Sequence, residues 1–222
     1  MAHPDDSPIR DDSHLETPIV AIFEYAGSHT DKVANFLATH DADVYVSSNW
    51  AICLAADGLI IPGGNSPEEI AREIKPLRAA ELIDARLLAN RSVLAIGNAF
   101  NLLFETEEES DSNVFNQWPG VSQQLESIAV PLWCRVDSAP DSLLFRGLET
   151  EEFLFEVARY VTEWKLDSQG PMTAPKVSWA KAGNEVKFIA AIENGPLVAT
   201  QFHPENSGEQ GNALLTNWIR SL

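Results

Sequence analysis

Basic side chains are scarce in this chain. Over 222 residues, 15 lysines and arginines stand against 33 aspartates and glutamates, a formal net charge of −18. Nucleic acid and anionic membranes are gripped through Lys and Arg, so neither is expected as a partner. Cysteine is almost missing too. Cys53 and Cys134 are too few for a disulfide framework or a cysteine-based zinc site. No metal or cofactor is expected. No apolar run approaches the ~18–20 residues of a membrane span, and the first residues lack the apolar core of a secretory signal. A cytoplasmic location is the economical expectation. No internal repeat, low-complexity tract or linker divides the chain, which predicts one domain.

What is present reads as an α/β pattern behind an acidic tail. Met1 to Glu16 carry Asp5, Asp6, Asp11, Asp12 and Glu16 with few apolar groups. That stretch buries too little to offset its ordering entropy and is expected to be disordered. The domain is expected over residues 17–222. Ile19–Phe23, Val44–Val46, Gly58–Ile61 and Val93–Ile96 are short β-branched runs that predict strands. Between them lie helical patterns: one presents Val33, Phe36 and Leu37, and a long one runs from Pro67 to about Asn90. Another helix is expected from Asn98 to about Glu107. Alternation of this kind argues for a parallel sheet with helices on both faces. Past an acidic turn at Glu107–Asp111 the strand-like runs crowd together at Ile128–Val136, Phe153–Val161, Lys187–Ile192 and Leu197–Phe202. Their spacing predicts an antiparallel or mixed portion at the sheet edge. A last helix, Gly208 to about Arg220, turns Leu214, Leu215, Trp218 and Ile219 inward.

Two local texts carry chemistry. Gln201-Phe-His-Pro-Glu205 follows an apolar strand, and the residue before a proline is held extended. His203 and Glu205 can therefore point the same way, as the base and orienter of a nucleophilic triad do. The second text is Val93-Leu-Ala-Ile-Gly-Asn-Ala-Phe-Asn101. A strand turning sharply into a helix, with small Ala95 and Ala99 flanking the pivot, has the form of a nucleophile elbow. The pivot is Gly97. Glycine adopts such dihedrals at little cost but has no side chain with which to attack.

On these residues the chain resembles the class I glutamine amidotransferases, most closely the glutaminase subunit of imidazole glycerol phosphate synthase. The resemblance runs from Val177-Ser-Trp-Ala-Lys181 through Phe188–Gly195 to Ala199–Gly208. It also takes in Ala56–Gly63, Leu102-Leu-Phe104, Trp118-Pro-Gly120 and Leu144–Gly147, nearly everything from Ile19 to Leu222. It implies a flavodoxin-like, mixed and mostly parallel open sheet. It also implies an elbow Cys that attacks glutamine, with counterparts of His203 and Glu205 as base and orienter. A loop matching Gly63, Gly64 and Asn65 would serve the oxyanion, and ammonia would pass to a barrel-type cyclase. Asn98 and Asn101 fall in the elbow and glutamine-binding text.

The departures from that pattern gather at the chemistry. The family text Gly-Ile-Cys-Leu-Gly-Met-Gln is here Ala95-Ile-Gly-Asn-Ala-Phe-Asn101, so Gly97 takes the Cys position. The family's Val-His-Ser-Tyr becomes Glu156-Val-Ala-Arg159, and Asp-Tyr-Gly-x-Gly-Asn becomes Glu24-Tyr-Ala-Gly-Ser-His29. Pro-His-Met-Gly-Trp-Asn maps loosely onto Pro131–Val136. Neither Cys53 nor Cys134 is spaced to replace the nucleophile. Lineage thus implies a glutaminase subunit of histidine biosynthesis, while the residues imply one unable to hydrolyse glutamine. The alternatives are a regulatory or binding protein on this fold, or another amidotransferase line such as the glutaminase of pyridoxal phosphate synthase.

Overall fold

The computed structural model describes residues 17–106, 114–124, 130–157, 159–164, 174–182 and 186–222. The acidic tail, the acidic turn at Glu107–Asp111 and Ala158 lie outside the described residues. The first half alternates as its sequence predicts: β1 (Ile19–Phe23), α1 (Thr30–Leu37), β2 (Asp43–Ser47), α2 (Trp50–Ala55) and β3 (Gly58–Ile61). Then come α3 (Pro67–Ile74), α4 (Ala79–Leu88), β4 (Ser92–Ile96) and α5 (Asn98–Asn101). The second half holds β5 (Glu105–Thr106), β6 (Val121–Gln124), β7 (Leu132–Asp137), β8 (Glu152–Phe155) and β9 (Arg159–Val161). It ends with β10 (Lys176–Ala182), β11 (Val186–Asn194), β12 (Leu197–Thr200) and α6 (Gly208–Ile219).

Among the described residues, nine strands form one sheet in the order β2-β1-β3-β4-β12-β11-β10-β7-β8. The first five are mutually parallel, and from β12 onward every neighbour is antiparallel. A small second sheet has the order β5-β6-β9. Strand alternation divides the core between two faces. Val20 and Ile22 pack with Val33, Leu37, Leu214 and Trp218 on one side. Ala21 and Phe23 pack with Cys53, Ile70, Ile74, Leu82 and Ile83 on the other. Burial on both faces explains why β1, β3 and β4 read as unbroken apolar runs.

Three expectations change. The helix expected from Pro67 to Asn90 breaks after Ile74 into a 3₁₀ turn at Lys75–Leu77, and α4 begins after Arg78 at φ +56°. Pro76 has no N–H and its ring clashes with the preceding turn, so the helix cannot continue. The helix expected to reach Glu107 stops at Asn101. Beyond it Leu102, Leu103 and Phe104 donate to Ala99 O, Phe100 O and Asn101 O, three-residue bonds that tighten the chain into turns instead of continuing the α-helix. Glu105 instead bonds Gly120 (N···O 3.1 Å) and enters the small sheet. The run Phe153–Val161 divides into β8 and β9, which belong to different sheets. β6 and β10 arise where the sequence pattern predicts no strand.

Candidate active site

The carboxyl ends of four adjacent parallel strands meet at one pole of the sheet, where open α/β folds bind ligands. β1 leads to His29, β3 to Pro62–Asn65, β4 to Gly97 and β12 to His203. Gly97 has φ +60° and ψ −126° between the end of β4 and the first residue of α5. This is the sharp strand-to-helix turn of an elbow, taken by the one residue that tolerates it cheaply. Gly97 N–H donates to Thr200 O at 2.9 Å, tying the elbow to β12.

His203 and Glu205 form a buried pair, with Nδ1 and Oε1 2.8 Å apart. A carboxylate oxygen accepts, so the ring presents Nδ1–H to Glu205 and turns Nε2 toward the elbow. The backbone around the ring is held on both sides. His203 N–H donates to Leu154 O (2.9 Å), and Ser207 Oγ donates to His203 O (2.7 Å). The ring lies directly against the elbow. A Cβ at position 97 would stand 2.3 Å from His203 Cε1 and 2.5 Å from Nε2. Among the described residues, Glu205 Oε2 is buried without a partner.

The loop after β3 is fastened carbonyl by carbonyl. Tyr25 Oη donates to Pro62 O (2.6 Å), and His29 N–H to Gly63 O (2.9 Å). The Asn98 side chain spans the next two, with Nδ2 3.0 Å from Gly64 O and 3.1 Å from Asn65 O. In a trans peptide each fixed C=O fixes the N–H behind it. The donors of Gly64, Asn65 and Ser66 are thus held in set directions. Among the described residues, neither Gly64 N–H nor Asn98 N–H donates to a backbone carbonyl. A Cβ at Gly63 would touch His203 Cε1 at 3.0 Å and lie 3.7 Å from Asn98 N, so loop, elbow and imidazole converge.

The chain is 37% identical over 212 residues to the imidazole glycerol phosphate synthase subunit HisH of Leifsonia xyli, covering 94% of this chain and 100% of that protein. It belongs to the HisH family. No family model matches it. Among solved structures, a glutamine amidotransferase aligns at TM-score 0.66 and 13% identity, over 91% of this chain and 99% of that one. PurLQS from Thermotoga maritima aligns at TM-score 0.65 and 17% identity, over 93% and 99%. The fold is the flavodoxin-like fold of class I glutamine amidotransferases.

Not every residue singled out in the sequence reaches the pocket as a free group. Asn65 is exposed, and Asn98 is buried as the clamp described above. Asn101 is buried, and its Oδ1 accepts from Ser122 Oγ at 2.7 Å. Cys53 and Cys134 donate to the carbonyls of Ser47 and Lys181, and burial pushes both thiols up to about 11. Neither is a thiolate at neutral pH. His29 is the residue the sequence undervalued. Its imidazole pKa is lowered, first by burial, then by electrostatic interaction with Lys32 and with His203. Glu205 and the Asn65 side chain act on it in the opposite sense. Its place at the end of β1, beside the reversal of strand order, is the signal that marks it. A cavity of about 480 Å³ lies at the other pole among Arg91, Glu193 and Trp218, and no site residue lines it. Among the described residues no cluster of His, Cys, Asp and Glu suits a metal ion, and no helix is long and apolar enough to cross a membrane.

Proposed function

We propose that this chain is the glutaminase-type subunit of an imidazole glycerol phosphate synthase in which glutamine hydrolysis has been lost. Lineage supports the first half, since relatives carrying that name match over the whole of their length. One observation carries the second: position 97 has no side chain, and the His203 ring fills the space where one would begin. In the family chemistry an elbow thiolate attacks the glutamine amide carbonyl, with the imidazole taking the thiol proton and later protonating the departing ammonia. Here Nε2 of His203 has no thiol to deprotonate. Glu205 still orients the ring, and Gly63, Gly64, Asn65 and Asn98 still build a fixed loop, but a cradle without a nucleophile forms no acyl-enzyme. Losing the nucleophile of such a unit costs about 10⁶ in kcat, roughly 8 kcal/mol.

The partner in this reading is the barrel-type cyclase of the same pathway, and the setting is the cytoplasm. Residues 17–222 act as one domain. The test is ammonia release from glutamine with the cyclase present. No turnover above the buffer blank is expected, whereas turnover near that of a cysteine-bearing family member overturns the proposal.

A further inference from the structure

The large sheet ends on β2 at one side and β8 at the other, and the chain treats these edges differently. At β8 the outer backbone is covered by the segment after β12. His203 N–H donates to Leu154 O (2.9 Å), and Leu154 N–H donates to Ser207 Oγ (3.0 Å). Gln210 Nε2 adds a bond to Glu152 O (3.4 Å). The β2 edge has no such cover among the described residues. Asp43 N–H donates to Pro18 O (2.9 Å) and Glu24 N–H to Ser47 O (3.2 Å), so Asp43, Tyr45 and Ser47 bond inward to β1. Val44 and Val46 between them turn N–H and C=O outward, and among the described residues nothing meets those groups.

Natural sheets blunt an open edge with lysine, proline or a bulge. β2 has none of these. Its centre is apolar and half in solvent, with Tyr45 49% and Val46 41% exposed. Ile19 of β1, on the same face as Tyr45, is exposed as well.

The strand is complementary to itself. Two copies laid antiparallel about an axis through Tyr45 set Val44 of each opposite Val46 of the other, and each such pair exchanges two hydrogen bonds. Tyr45 meets its own counterpart at a Cα separation of about 4.5 Å, an aromatic cross-strand pair. Asp43 falls opposite Ser47 and not opposite another carboxylate. Ser47 Oγ accepts from Asn49 N–H (3.0 Å), which leaves its hydroxyl hydrogen to donate to Asp43 of the second copy.

From this we infer that β2 is a self-association edge, where two copies of the chain join into one continuous sheet about a two-fold axis. Antiparallel pairing reverses the strand direction, so the poles that carry His203 point in opposite directions. The inference is independent of the reaction at that site. Two bodies of net charge −18 repel each other, so the pairing tightens as salt screens them.

The experiment is sedimentation equilibrium of the full chain at low and at about 0.5 M salt. The wild type is expected to form dimers and no higher species, more tightly at high salt. Tyr45→Glu sets like charges opposite each other on the axis and is expected to weaken dimerisation about tenfold or more. Val46→Pro removes an outward N–H from each copy and is expected to weaken it about tenfold. Leu88→Glu makes the same change of charge at a 90% exposed residue of α4 and is expected to stay within about twofold. Circular dichroism identifies any variant that fails to fold, and the remaining one then carries the test. Cross-linking checks the register. Tyr45→Cys brings two thiols within disulfide reach across the axis, and oxidation is expected to give a covalent dimer that Leu88→Cys does not give. A wild type that stays monomeric at both salts overturns the inference. So does a dimer that neither β2 variant weakens, or a Tyr45→Cys chain that cross-links no faster than Leu88→Cys.

Discussion

The imidazole of His203 occupies the space that a side chain at Gly97 would need. A Cβ there would lie 2.3 Å from Cε1, 2.5 Å from Nε2 and 3.1 Å from Nδ1. The ring cannot simply swing aside, because Nδ1 is bonded to the buried Glu205 and its backbone is bonded to Leu154 and Ser207.

Gly97→Cys alone should therefore fail to create a glutaminase. The new side chain needs φ +60° at a non-glycine residue, a strain of about 1–3 kcal/mol, and must displace His203 from Glu205. Val157, in the segment that stands where the family has Val-His-Ser-Tyr, is buried and apolar, and its side chain offers no polar group to a substrate amide. A reacting group misplaced by about 1 Å loses ~10²-fold. Ammonia release by the variant with cyclase present should stay at least that far below a cysteine-bearing relative. Its melting temperature should fall, and full turnover would show that His203 moves aside freely.

Asn98→Leu should loosen the loop after β3 without unfolding the chain. The substitution removes the bonds from Nδ2 to Gly64 O and Asn65 O, each worth about 0.5–1.5 kcal/mol net. Stability should drop by about 1–3 kcal/mol. Amide exchange at Asn65 and Ser66 should rise while exchange in β3 and β4 stays unchanged. Equal protection in wild type and variant would show that the clamp does not hold the loop.

The parallel half of the fold is legible in the sequence because burial on both faces leaves unbroken apolar text at Ile19–Phe23, Gly58–Ile61 and Val93–Ile96. His203 and Glu205 are legible too, since a proline and a preceding strand fix their direction locally. The clamp is not. Asn98 reads as part of the elbow and glutamine-binding text, and its hold on the β3 loop exists only once folding brings that loop across it. His29 reads only as a departure from the family's Asp-Tyr-Gly-x-Gly-Asn for the same reason: the side-by-side order of β1, β3, β4 and β12 is what brings it near His203. β10 escapes notice because a strand with Trp179 and Lys181 on an open face lacks the apolar density of a buried one. The stop at Asn101 is tertiary, since no breaker residue follows and Glu105 is drawn instead to Gly120 in the small sheet.

Arg86 is the buried cation that holds the lower pole together. Nη1 donates to Cys53 O (2.6 Å) and Ala56 O (2.9 Å), and Nη2 to Asp57 O (3.0 Å) and Ser92 O (2.7 Å). It closes the carboxyl end of α2 onto the starts of β3 and β4. Burial lowers its pKa to about 10, so the charge persists at neutral pH. Arg86→Ala strands these carbonyls and should cost about 3–5 kcal/mol, which lowers the melting temperature by about 6–20 °C for a chain of this size. Arg86→Lys restores a charge but not the planar fork and should fall between. A melting curve unchanged in Arg86→Ala would show that water satisfies the carbonyls.

Both thiols should be inert in the folded chain. Each is buried and raised to about 11, so the thiolate that reacts with alkylating reagents is nearly absent at about pH 8. Iodoacetamide should label Cys53 and Cys134 only after unfolding in guanidinium. Rapid labelling of either in the native state would contradict this and would reopen the search for a displaced nucleophile.

Replacing His29 should change how stability responds to acid. In the folded chain its pKa is lowered, chiefly by burial and then by electrostatic interaction with Lys32 and His203, while the unfolded chain has the ordinary value of about 6.5. As pH falls through that value the unfolded state takes up the proton first, so the folded state loses stability on acidification. The loss begins just above about pH 6.5 and stops growing below the folded pKa. His29→Asn has nothing to titrate and keeps a side chain of similar polarity, while the backbone bond from residue 29 to Gly63 O remains available. Other groups titrate in the same range, so the quantity to compare is the difference between variant and wild type. Denaturant unfolding at about pH 8 and about pH 5.5 should show the His29→Asn variant gaining on the wild type at the lower pH. A constant difference between the two would mean that His29 is as freely solvated in the folded chain as in the unfolded one, and that the pocket exerts no pull on it.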